Sequence, residues 1–199
     1  WVRINIPTNL RRREDLAMPA ANVMSFTFVD RHARQCRNHQ ALLQSIRVET
    51  EAIKQGRLGL YFIAQLALMA GIPGVMPLVL GRHRCLATAV LTNVGDLARL
   101  FSSQFPQRAG KLVIGNLVLE SLSGTPPLRP QTRLGVGVIT YAGQMSLSLL
   151  ADRHHFTQEQ SRRFLNAYVA RVRQSLATIA PEQVAPAQDA QRPHDAQAR

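Results

Sequence analysis

LGVGVITYAGQMSLSLL, residues 134–150, is the stretch of sequence that decides the fold. Residues 134–141 are rich in glycine and β-branched residues, and residues 145–150 form a second strand-like run. Ala142-Gly143-Gln144 separates the two runs and is typical of a hairpin turn. The stretch therefore predicts a pair of antiparallel strands.

Alternating apolar and polar residues predict further strands elsewhere in the chain. Val2, Ile4 and Ile6 mark the first, and Pro7 is expected to end it, because proline cannot donate to a sheet ladder. The other strand-like runs are residues 22–29, 86–94 and 112–122. Residues 124–130 carry three prolines and are expected to form a loop.

Two helices are marked by their ends. Asn38 is a good N-cap for a helix that reaches residue 55, and Gly56 is a typical stop. Thr157 and Gln160 fit a capping box at the start of a helix that runs toward residue 176.

Residues 58–81 contain no charged residue. The length would suit a bilayer crossing, but Gly71-Ile72-Pro73-Gly74 divides the stretch into two shorter pieces. We expect a buried helical pair, with a membrane-inserted or membrane-resting segment as the alternative.

The composition excludes several classes of protein. The net charge is +12, and of the 24 cationic residues only Lys54 and Lys111 are lysine. Aromatic residues make up only 6% of the chain and no nucleic-acid reading element is present, so no nucleic-acid partner is expected. Cys36 and Cys85 form no CxxC pair and fit a reducing cytoplasm. No spacing of histidine and cysteine predicts a metal site.

His154 and His155 imitate part of the HHxxxDG signature in which a histidine serves as a general base. Glu159 and Gln160 stand where that signature has Asp and Gly, and the capping box puts the start of a helix inside it. We therefore interpret the pair as loop residues and predict no catalytic residue in this chain.

Thr92-Asn93-Val94-Gly95 ends a strand with polar side chains and a glycine. Such an end lets a ligand approach the backbone closely, although a simple strand end has the same pattern.

Four short motifs follow one another along the chain, and their order matters for the comparison below: NIPTNLR (residues 5–11), PAANVMS (19–25), TNVG (92–95) and TYAGQMSLSL (140–149). A final helix follows them. With that helix they span about 175 residues and resemble the second half of condensation-like acyltransferases. That superfamily includes chloramphenicol acetyltransferase, peptide-synthetase condensation domains, alcohol acetyltransferases and wax ester synthases.

The resemblance implies an α/β fold, a two-layer sandwich in which a mixed, mostly antiparallel sheet is packed by helices. The domain would span residues 1–180, followed by a disordered tail over 181–199, where apolar periodicity is lost. Because the chain begins at Trp1 in strand-like sequence, we expect a missing N-terminal half of the same domain to carry the catalytic histidine.

The resemblance also implies the chemistry. The parent would move an acyl group from a thioester, either coenzyme A or a carrier-bound phosphopantetheine, to an alcohol or amine, with no other cofactor. Thr92, Asn93, Gly95 and Asn22 would contact substrate. The chain alone is expected to be inactive, in the cytoplasm or at a membrane surface. The alternative is a non-enzymatic relative that binds ligands or a membrane surface.

Overall fold

In a computed structural model of the chain, the residues described are 1–11, 15, 23–56, 58–81 and 84–178. Asn22 and the expected disordered tail 181–199 lie outside these residues. The strands are β1 Val2–Asn9, β2 Met24–Arg31, β3 Ala89–Asp96, β4 Gln107–Arg108, β5 Lys111–Ile114, β6 Leu117–Val118, β7 Leu134–Tyr141 and β8 Gln144–Ala151. The helices are α1 His39–Gln55, α2 Gly59–Ala70, α3 Val75–Leu80, α4 Leu97–Leu100 and α5 Gln158–Thr178.

The main sheet has five strands in the order β2-β1-β3-β7-β8. β1 pairs in parallel with β3, which in turn pairs in parallel with β7. The outer strands β2 and β8 are antiparallel to their neighbours, and the short strands β4, β5 and β6 form a separate antiparallel sheet. The expected α/β class, with a mixed sheet packed by helices, is confirmed.

Pro7 lies inside β1 rather than at its end, so the prediction that it ends the strand is wrong. The strand continues to Asn9 because β2 pairs along its whole length. Arg3 and Thr88 exchange two hydrogen bonds, so the odd-numbered residues of β1 direct their backbone groups toward β3. The backbone nitrogen of Pro7, which carries no hydrogen, therefore faces β3. Pairing with β3 has already stopped at Asn5, so no hydrogen bond of the ladder is lost.

The β7–β8 hairpin forms as the sequence predicts. Its turn consists of Ala142 and Gly143, whose φ angles are 49° and 76°. Two positive φ values are characteristic of a type I′ turn, which matches the right-handed twist of the flanking strands. Gln144 already belongs to β8 and pairs with Tyr141.

The predicted helix ends are also confirmed. The Asn38 side chain accepts a hydrogen bond from the Ala41 N–H, and Gly56 follows α1. The Thr157 N–H donates to Gln160 Oε1 at 2.8 Å, and the Gln160 N–H donates to Thr157 Oγ1 at 3.2 Å. This reciprocal pair is the capping box expected at the start of α5.

Residues 58–81 do form a helical pair, α2 and α3, but the prediction that the pair is buried is wrong. Only Gly59 is buried in α2, and none of the residues in α3 is. One side of α2 rests on β2, where the Phe62 ring lies 5.8 Å from Phe26 and 5.6 Å from Phe28, centroid to centroid. No layer of the described chain covers its other side. No helix among the described residues has both the length and the apolar character needed to cross a membrane.

A small core joins the second sheet to the main one. Tyr141 is buried, and its hydroxyl accepts from the Leu112 N–H at 2.9 Å and donates to the Leu119 carbonyl at 2.6 Å. Leu97 and Ala98 of α4 pack in the same cluster. The phenol thus satisfies two backbone groups in a place that water does not reach.

Gly135 and Gly137 let the proline-rich loop lie directly on β7. A Cβ on Gly135 would lie 2.9 Å from the Pro126 ring. A Cβ on Gly137 would meet Ser148 Oγ at 2.6 Å, Pro126 at 3.1 Å and the Gly124 carbonyl at 3.3 Å. The Ser148 hydroxyl donates to that carbonyl at 2.5 Å and so fixes the loop to β8.

We predict that Gly137→Ala lowers the free energy of unfolding by about 1–3 kcal/mol, because the new methyl group overpacks the loop contact. Urea denaturation measures the change. The matched control is Gly124→Ala, whose Cβ would lie 3.7 Å from Ile139 and meet only an ordinary contact. Equal losses in the two variants would contradict the close approach at Gly137.

An ion pair between Arg3 and Asp30 links β1 to β2. The guanidinium donates twice to the carboxylate, at 2.7 Å for each bond. These hydrogen bonds hold the pKa of Asp30 below its ordinary value. The Arg3 guanidinium also lies over the Trp1 ring, 4.7 Å from its centroid.

We predict that Asp30→Asn destabilises the protein at neutral pH, by no more than about 1 kcal/mol because both side chains are over one-third exposed. The pKa of Asp30 is lower in the folded protein than in the unfolded chain. The ion pair therefore contributes its full stabilisation above the unfolded pKa, and this stabilisation disappears as pH falls through the folded pKa. Unfolding of both proteins from pH 7 down to about pH 2 measures the difference. The control Glu51→Gln removes a more exposed pair with Arg47. A difference that grows with acidity would contradict this assignment.

Candidate functional site

An apolar groove of about 770 Å³ lies on one face of the main sheet. It lies over the part of the sheet where the pairing of β1 with β3 ends, beyond the pair Asn5 and Val90. Its floor comes from alternate residues of three strands: Asn5, Pro7, Val90, Thr92, Gly137 and Ile139. The groove therefore lies next to the end of the parallel pairing between β1 and β3.

Two walls of different origin enclose this groove. One wall is aromatic, with Phe26 and Phe28 from β2 and Phe62 from α2. The other is the loop 124–129, which rests on the two glycines of β7. Pro126 is buried in that loop, so the wall is held in place by packing.

Asn5 is the polar group at the point where the pairing of β1 with β3 ends. Its Oδ1 atom is shielded from solvent and has no hydrogen-bond partner among the described residues. A buried carbonyl oxygen without a partner costs about 1–3 kcal/mol. The oxygen therefore favours any donor that reaches it from the groove.

Among the described residues that line the groove, Arg129 is the charged one. Its guanidinium donates to the backbone carbonyls of Leu80 and Gly81 at the end of α3. These bonds satisfy carbonyls that the helix end leaves free. Arg129 therefore attaches the proline-rich loop to the end of α3.

The structure describes three of the four residues expected to contact substrate, and all three belong to β3. Thr92 lines the groove. Asn93 lies next in β3 and accepts a hydrogen bond from the Gly95 N–H at 3.0 Å. Gly95 has φ of 78° and follows a bulge at Val94, where the register with β7 shifts. Asn22 lies outside the described residues.

His154 and His155 lie in the turn between β8 and α5, and neither lines the groove. His155 Nδ1 is 3.5 Å from Asp152 Oδ2. The free thiols of Cys36 and Cys85 are exposed. Among the described residues, no group of three or more His, Cys, Asp or Glu side chains could hold a metal ion.

Sequence reasoning missed the walls of the groove, although two signals for them exist. Phe26 and Phe28 are two residues apart in a strand and so share a face. Gly135 and Gly137 share a face in the same way, and paired glycines in a strand interior indicate that another backbone approaches closely. Phe62 carries no such signal, because its position depends on how α2 packs.

The chain matches no family model, no curated protein and no solved structure.

We predict that Asn5→Leu raises the free energy of unfolding by about 1 kcal/mol, because it removes a buried oxygen that has no partner among the described residues. Chemical denaturation measures the change. Asn9→Leu is the matched control in the same strand, since the Asn9 Oδ1 atom accepts from the Arg11 N–H at 3.0 Å. Asn9→Leu should give no gain. Destabilisation by Asn5→Leu would mean that the amide has a partner in the folded protein.

Proposed function

We propose that this chain is the second half of a condensation-like acyltransferase and that its groove holds the hydrocarbon part of a substrate. The observation that carries the proposal is the apolar groove at the end of the pairing between β1 and β3, with Thr92 on its floor. The four short sequence motifs support the same family, since they occur in its order.

The groove has the size and lining of a small-molecule site. Its volume of about 770 Å³ lies within the usual range of roughly 300–1,000 Å³. Aromatic and aliphatic side chains dominate, with a few polar groups such as Thr92 and Asn5. This combination suits a long acyl chain with one polar end, because burial of each methylene gains about 0.8 kcal/mol.

The proposed reaction is direct acyl transfer. The acceptor oxygen or nitrogen attacks the thioester carbonyl, a new ester or amide bond forms, and the carbon–sulfur bond breaks to release the thiol. A base removes the acceptor proton, and that proton ends on the leaving sulfur. We assign the base to a histidine in a first half of the domain, a partner of this chain.

The described residues of this chain contribute positioning and exclusion of water. The aromatic wall and the loop 124–129 would hold the acyl chain along the sheet. Placing the thioester and the acceptor in one orientation lowers the barrier by removing their translational freedom. Thr92 can donate a hydrogen bond to an oxygen of the substrate.

The donor in this proposal is an acyl thioester, of coenzyme A or of a carrier protein, and no further cofactor takes part. Both kinds of donor, and the reduced state of Cys36 and Cys85, fit a cytoplasmic site of action. A non-enzymatic protein that only binds acyl chains is the second candidate. It is favoured by the described residues that line the groove, none of which is suited to act as a base.

We predict that the chain binds acyl-coenzyme A with an affinity that rises with chain length. From octanoyl to dodecanoyl thioester the affinity should rise at least about tenfold, since four more methylenes enter the groove. Calorimetry measures the series. The same chain should release no coenzyme A when an alcohol acceptor is added, and His155→Ala should change neither result.

The matched variants are Val94→Trp and Val48→Trp. Val94 lines the groove, and a tryptophan there should weaken dodecanoyl binding by about tenfold or more. Val48 is exposed on α1, so its variant should bind normally. Affinity that does not depend on chain length would rule out the acyl groove. Turnover by the full parent protein, lost on changing its histidine base, separates the enzyme from the non-enzymatic binder.

A further inference from the structure

The helical pair α2–α3 is predominantly apolar, yet much of it is exposed. We define its outer face as Tyr61, Leu68, Ile72 and Leu78, whose exposed fractions are 63%, 74%, 52% and 62%. Gln65 is the polar side chain of α2, and α3 has none. A helix that is hydrophobic all round is normally buried in protein or in lipid.

The opposite side of the pair is fixed to the protein. Phe62 packs on two phenylalanines of β2, and the Ser25 hydroxyl donates to the Gly59 carbonyl at 2.5 Å. Arg129 holds the end of α3 through the carbonyls of Leu80 and Gly81. The outer face is therefore presented by a firmly attached element.

The charged residues next to this pair in the sequence have one sign. No Asp or Glu occurs between Glu51 and Asp96. The cationic residues in that interval flank the apolar stretch on both sides: Lys54, Arg57, Arg82 and Arg84. Such an arrangement is complementary to a surface that is apolar inside and anionic at its boundary, as a bilayer with acidic headgroups is.

We propose that the outer face of α2–α3 docks on the surface of a bilayer that contains anionic lipids. The apolar side chains would enter the boundary between headgroups and acyl chains, and the flanking cations would meet the lipid phosphates. Twelve residues of helix measure about 18 Å, against about 30 Å for the hydrocarbon core, so the pair lies in the interfacial layer.

A lipid surface fits these observations better than a second copy of the chain. Each copy carries a net charge of +12, so two copies that meet through cation-flanked faces repel each other. Anionic headgroups instead attract the same cationic residues. The inference does not depend on the acyl groove, because none of the four residues of the outer face lines it.

Sedimentation with vesicles tests the proposal on the full chain. The vesicles contain phosphatidylcholine with 30% phosphatidylglycerol, or phosphatidylcholine alone, both at about 0.1 M salt. The chain should sediment with the anionic vesicles and bind the neutral ones at least fivefold more weakly. Equal binding to both kinds of vesicle, or to neither, would overturn the proposal.

Two variants locate the surface. The triple variant Leu68→Gln, Ile72→Gln and Leu78→Gln should lower the partition coefficient about tenfold or more. The matched control replaces Leu43 and Val48, exposed by 59% and 60% on α1, with Gln and should bind as the parent does. Circular dichroism should show that both variants are folded, as expected for exposed positions.

A charge variant gives an independent readout. Arg84→Glu should weaken binding to anionic vesicles at least threefold and reduce its salt dependence, whereas Arg163→Glu on α5 should not. If the triple variant binds vesicles normally but converts a dimer to a monomer in sedimentation velocity, the outer face is a contact between copies and the proposal is wrong.

Discussion

The main sheet depends on a short parallel pairing between β1 and β3. Only two residue pairs, Ile4 with Ala89 and Asn5 with Val90, join the β1–β2 ribbon to the β3–β7–β8 ribbon in register. The exchange of hydrogen bonds between Arg3 and Thr88 closes the same junction from the other end. Pairing stops where Pro7 removes a donor, and beyond that point β1 and β3 form no further residue pairs beneath the groove.

Several other features lie at the end of this pairing. The groove has aromatic rings on one side and a proline-rich loop on the other. The side chains that line it tolerate partial exposure to solvent. The loop can lie on β7 only because Gly135 and Gly137 have no Cβ. Asn5, whose Oδ1 atom has no partner in the described part of the chain, belongs to the last residue pair between β1 and β3. The proposed site is thus the place where the sheet is incomplete, and its polar groups are few.

Local features could be predicted from the sequence, and features that depend on distant neighbours could not. The β7–β8 hairpin and the caps of α1 and α5 are set within a few residues, by period-two alternation and by side chains that bond nearby backbone. The prediction that Pro7 ends β1 is wrong because the residues of β1 do not show which edge of the strand lacks a partner. The exposure of α2–α3 was missed for the same reason, since apolar sequence predicts burial without saying what provides it. Of the expected substrate contacts, Thr92 lines the groove, whereas the Asn93 side chain accepts a hydrogen bond from the Gly95 N–H.

The most direct measurement of the central claim is photolabelling with a long-chain acyl-coenzyme A that carries a diazirine at the end of its acyl chain. Mass spectrometry of the labelled chain identifies the residues nearest the bound chain end. The account predicts labels on residues that line the groove, among them Phe26, Thr92 and Pro126, and competition by unlabelled dodecanoyl thioester. Labels that avoid the groove, or that dodecanoyl thioester does not displace, would contradict it.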